Sequence, residues 1–131
     1  MEPRDVLEQY RGVVLEMHAI RQQRDKLMPS GAPRGTENQR ITGMPRGTND
    51  PVASAYQQAD RCTEILTRKM REAQALAEEF ERIVERVAAV RDRVIIRRYY
   101  ALGDTDGQIA DDLGLDRRTV CMRRGEIVKN L

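Results

Sequence analysis

Apolar residues return every four and three positions along two long stretches of this chain, and that spacing allows little besides paired helices. One series runs Val6, Tyr10, Val13, Met17, Ile20, Arg24 and Leu27, with Arg24 its only break. The other runs Val52, Tyr56, Ala59, Thr63, Leu66, Met70, Ala73, Ala77, Phe80, Val84 and Val87, with Thr63 its only polar member. A recurrence near 3.5 residues holds one stripe of a helix against a partner helix, so that apolar knobs meet facing holes. The expected fold class is all-α, built on a helical hairpin or coiled coil.

Proline and glycine place the boundaries. Pro3 suits a first helical turn, where its missing N–H is not needed, and Pro29 drives Met28 out of helical geometry, so a coiled-coil helix is expected over residues 1–28. Residues 29–50 hold three of the five prolines and four of the nine glycines and almost no large apolar side chain. That composition predicts a flexible, disordered loop. Asp50 and Pro51 then read as N-cap and first helical residue of a long helix spanning 51–90. Cys62, Ile65, Leu76 and Ile83 add a second apolar stripe to it. At ~1.5 Å per residue the first helix reaches ~40 Å and the second ~55 Å, so the shorter cannot cover the longer. The surplus stripe predicts a homodimer held by Leu66, Met70, Leu76 and Phe80.

Residues 91–131 read differently. Asp92 is expected to cap a helix "RVIIRRYYAL" that Gly103 stops. Thr105 stands three residues before Gln108, the spacing of a capping box, and opens a short helix ending at Leu113. Gly114 takes a left-handed turn, Leu115 plugs the core and Asp116 caps a final helix. Ile109, Ala110, Leu113, Gly114, Leu115 and Val120 supply the apolar, small and turn positions that two helices crossing at a tight turn require, so the C-terminal part is expected to be a helix-turn-helix domain. From Asp116 onward Arg117, Arg118, Arg123, Arg124 and Lys129 face only Asp116 and Glu126, the charge pattern of a nucleic-acid footprint. Charge alone also fits a solvated helix face whose arginines pair with Asp111, Asp112 or Glu126.

Several functions are excluded by what is missing. The longest apolar runs, "VAAV" and "VII", fall far short of the ~20 residues that cross a bilayer, and the start "MEPRD" lacks a signal peptide's basic and apolar regions, so no membrane is expected and the expected location is cytoplasmic. Cys62, Cys121 and His18 cannot assemble a zinc or thiol–imidazole site within one chain, and no metal and no cofactor are expected. With no Ser/His/Asp set and no phosphate-cradling glycine loop, the chain is not expected to be an enzyme.

The stretch "RRYYALGDTDGQIADDLGLDRRTVCMRRGEIVKNL", residues 97–131, resembles the region-4 domain of sigma-70-type factors, in which an R-Y segment, a glycine, an "IA..LG.S..TV" core and a closing leucine-containing helix recur. The whole chain, with "MPRGTNDPVA" between two helices, resembles the small phage late transcription regulators of the RinA/ArpU type. The resemblance implies a phage or prophage regulator of transcription that binds double-stranded DNA, with host RNA polymerase as a further partner. It places Thr119 and Val120 on the "TV" pair and Asp116 where the family has a capping Ser. Arg117, Arg118, Thr119, Cys121, Met122, Arg123, Arg124 and Lys129 are then the expected DNA-contacting residues of the helix 117–130. Arg123 departs from a place that is often apolar, and Cys121 and Met122 stand where base readers are normally polar. Asp111 and Asp112 are expected to face solvent. Two other functions share these features: a DNA-packaging adaptor of the phage small-terminase kind, which assembles as a ring, and a protein-binding coiled-coil module without DNA affinity.

Overall fold

A computed structural model describes residues 1–27 and 51–131. The loop expected over 29–50, and the cap expected at Asp50, lie outside these residues. Among the described residues the chain is all-α, with five helices and no strand: α1 (Pro3–Leu27), α2 (Pro51–Glu85), α3 (Val90–Ile96), α4 (Asp106–Leu113) and α5 (Arg117–Lys129). Pro3 and Pro51 occupy the first helical position of α1 and α2, as their fixed φ favours. The carbonyl of Glu2 accepts from the Asp5 and Val6 N–H groups at 2.9 and 3.2 Å, and Asp5 complements the positive end of the α1 dipole.

The expected second helix is shorter at its C-terminal end. α2 stops at Glu85, and α3 begins at Val90 with Ala89 in the capping position. The intervening carbonyls of Val87 and Ala88 accept from the Arg93 guanidinium at 2.7 and 2.9 Å. Asp92, expected as a cap, is instead the third residue of α3, is only 8% exposed, and turns to a distant partner described below. α3 runs into a single π-helical turn, Arg97–Ala101, which Gly103 ends at φ 77°. Wider turns of this kind aim side chains that a regular helix would place elsewhere.

The chain divides into two compact units, Met1–Glu16 with Lys69–Leu131, and Met17–Arg68. That division crosses α1 and α2 and does not follow the boundaries at 28, 50 and 90 expected from composition. In the second unit Ala59, Cys62 and Leu66 are buried, and Met17, Ile20, Arg24 and Leu27 are half-buried. In the first unit Val6 and Leu7 join Phe80, Ile83, Val84, Val87, Ile96, Tyr100 and Ile127 in one core. Tyr10 stacks on Phe80 with ring centroids 4.6 Å apart, and Glu16 pairs with Lys69 at 3.1 Å. Thus the first turns of α1 belong with the C-terminal helices.

The buried stripe of α2 runs Ala59, Cys62, Leu66, Ala73, Phe80, Ile83 and Val84, with half-buried Lys69 and Leu76 at the steps between, and buried Val87 follows just past the helix end. It draws on both stripes expected on this helix and leaves Thr63 and Met70 outside. Of the four residues expected to hold a second copy, Phe80 is 1% exposed and Leu66 5% within the single chain. Leu76 is half-buried against the core and Met70 is 47% exposed.

Candidate nucleic-acid interface

α4, a three-residue turn and α5 form the end of the molecule where the basic residues gather. The capping box forms as the spacing predicts: Thr105 Oγ1 accepts from the Gln108 N–H at 3.2 Å, and Gln108 Oε1 accepts from the Thr105 N–H at 2.9 Å. Gly114 ends α4 at φ 70°, and the Leu115 N–H reaches back to the Ala110 carbonyl at 2.9 Å. Asp116 takes the extended backbone of an N-cap, although its carboxylate makes no capping hydrogen bond. Ile95, Ile109, Ala110 and Val120 form a second small core, closed by Tyr99, Leu113 and Leu115.

This packing fixes which way each α5 residue points. Val120 and Ile127 face inward, and the four arginines divide into two pairs with opposite fates. Arg123 donates through Nε and Nη2 to the Asp92 carboxylate at 2.9 and 2.7 Å. Arg124 does the same to Asp106 at 3.1 and 2.8 Å, with side chains only 17% and 15% exposed. Two-pronged pairs of this geometry are the strong class of ion pair. Burial pulls the Arg124 guanidinium towards losing its proton, but the Asp106 hydrogen bond and charge outweigh it, and the net shift is upward. Arg123 is raised chiefly by its hydrogen bond to Asp92.

Tyr99 completes the arrangement. The Arg124 guanidinium lies 3.8 Å from its ring centre and that of Arg11, from α1, lies 3.6 Å away, so the ring is held between two cations. Arg11 also donates to the Tyr99 carbonyl and, at 3.2 Å, to that of Asp104. Arg98 pairs with Asp104 at 2.8 Å and with Asp112 at 2.7 Å. Asp112 is therefore solvent-facing, as expected of it and of Asp111, and also partnered.

Arg123 and Arg124, both expected at the DNA, each pair with a carboxylate of the same chain: Arg124 is largely enclosed with Asp106, whereas the Arg123 side chain stays 50% exposed beside Asp92. Their partners are Asp92 and Asp106, neither of which the sequence suggested. Asp106 carried a faint signal as the first residue of a capped helix, whereas Asp92 lies 31 positions from Arg123 and carried none. The remaining expected contacts, Arg117, Arg118, Thr119, Cys121, Met122 and Lys129, are all exposed. Among the described residues neither Arg117 nor Arg118 has an ion-pair or hydrogen-bond partner. The Cys121 Sγ lies 3.8 Å from Arg124 Nη2.

Among the described residues no group of acidic, His or Cys side chains could hold a metal ion, and no helix is long and apolar enough to cross a membrane. Comparison of the chain with protein-family models, with curated proteins and with solved structures finds no match.

Proposed function

We propose that this chain is a sequence-specific DNA-binding regulator of transcription, phage or prophage encoded and without enzymatic activity, that lays α5 in the major groove. The observation that carries the reading is the division of the α5 arginines. Arg123 and Arg124 tie the helix to Asp92 and Asp106, and Arg117 and Arg118 stand exposed at its N-terminal end with no ion-pair partner among the described residues. In a helix-turn-helix the N-terminal residues of the second helix meet base edges. A guanidinium there can bind the O6 and N7 acceptors of guanine with two hydrogen bonds. Lys129, one helix length away, suits a phosphate. We propose further that the regulator works in the cytoplasm as a homodimer and contacts host RNA polymerase. Met70 and Leu76 are the two of the four expected interface residues that still offer surface.

Selection of bound duplexes from a random pool tests this. Arg118→Ala should cost about 1–3 kcal/mol at the selected site and narrow the gap to random DNA. Lys129→Ala should weaken all sequences alike and reduce the salt slope by about one. If no duplex is selected, the protein-binding module becomes the better account; a ring-sized mass in light scattering would point to the packaging adaptor.

A further inference from the structure

The side of α5 opposite Val120 carries Arg118, Met122, Gly125 and Lys129, at steps of four, three and four that keep them in one line. Arg123 and Arg124 lean to their carboxylates, so along this line the helix holds outward a cation, a thioether, a bare backbone and a second cation, with exposed Thr119 and Glu126 beside it. Met122 is 61% exposed at the centre of that line. A Cβ added at Gly125 would meet nothing within 4 Å, so none of the described residues requires a glycine in this helix interior. Its lack of a side chain leaves room for a body outside the chain to come close.

We infer that α5 reads the C5-methyl group of a pyrimidine through Met122, beside a base contacted by Arg118. The inference rests on the DNA-binding reading above. A thioether brings no strong donor or acceptor to the base edges, and the apolar feature that the major groove offers is the methyl group of thymine or 5-methylcytosine. The flanking positive charges of Arg118 and Lys129 fit a polyanion carrying a small apolar target better than they fit an apolar protein groove. Met122 is therefore a specificity contact, and Gly125 lets the helix approach closely enough for one methyl group to be covered.

The experiment uses the full chain and its selected duplex, with each thymine replaced in turn by deoxyuridine, which removes the methyl group and keeps the pairing and the hydrogen-bond pattern. At one or two positions affinity should fall about fourfold, the worth of one buried methyl group. In Met122→Ala, thymine and uracil should bind equally at those positions, with an unchanged melting temperature; in Arg118→Ala the preference for thymine should persist at lower affinity. A selected site indifferent to uracil everywhere, or a methyl preference that survives Met122→Ala, overturns the inference and leaves the DNA reading standing. Failure to select any duplex overturns both.

Discussion

Arg118 and Arg124 stand on the same helix with the same chemistry and opposite work. Arg124 is enclosed by Asp106 and Tyr99, so Arg124→Ala leaves a largely buried carboxylate without its cation. The expected destabilisation is about 3 kcal/mol, read from a urea melt. Arg118→Ala touches no internal partner and should change stability by no more than about 0.5 kcal/mol. Burial raises the Tyr100 phenol above its ordinary value of 10, with Arg124 opposing. The fold holds the neutral form, so this contribution is complete below pH 10 and is lost as pH rises through the higher folded value. Melts at pH 9 and pH 11 should therefore show a larger alkaline loss in the native chain than in Tyr100→Phe. The Thr105–Gln108 capping box and the glycine turns at Gly103 and Gly114 were legible in the sequence because short-range spacing sets them. The fates of Arg123 and Arg124 were not, since their carboxylates arrive from α3 and α4 only once the helices have packed.

At the scale of the element, two glycines of the C-terminal region make opposite demands. Gly114 sits at φ 70° with open space where a Cβ would go, so Gly114→Ala costs backbone strain alone, about 1–2 kcal/mol. Gly125 lies within α5 in equally open space. Gly125→Ala should stabilise the free protein by roughly 0.5–1 kcal/mol and, on the proposed DNA-binding function, weaken binding to the selected duplex, as paired melts and titrations would show. The α2 stripe teaches a related lesson. Its heptad recurrence was readable, but which of two adjacent stripes faces inward depends on where the partner lies, and the observed seam weaves between them. The cap expected at Asp92 failed for a similar reason. A capping rule sees the few residues that follow, and the carboxylate goes to Arg123, 31 positions on.

For the whole molecule, the sequence argument for a second copy rested on uncovered apolar surface, and much of that surface is covered from within. Phe80 lies under Tyr10, so Phe80→Ala should cost about 3–5 kcal/mol in a melt, as a core truncation does, rather than act first on assembly. Met70→Glu makes the contrasting case. Exposed and outside the seam, it should leave the melt unchanged and shift the sedimenting mass towards monomer if copies of the chain meet there. The ring of Tyr99 carries a last implication. Its two cations come from opposite regions of the polypeptide, one from α1 and one from α5. A recombination event, or a protein engineer, that lifted residues 91–131 onto a new scaffold would bring α5 along and leave Arg11, Val6 and Leu7 behind, together with Phe80, Ile83 and Val84. What looks in the sequence like a transplantable cassette draws its core from separate stretches of the polypeptide, and grafts that also carry the start of α1 and the end of α2 should melt higher than residues 91–131 alone.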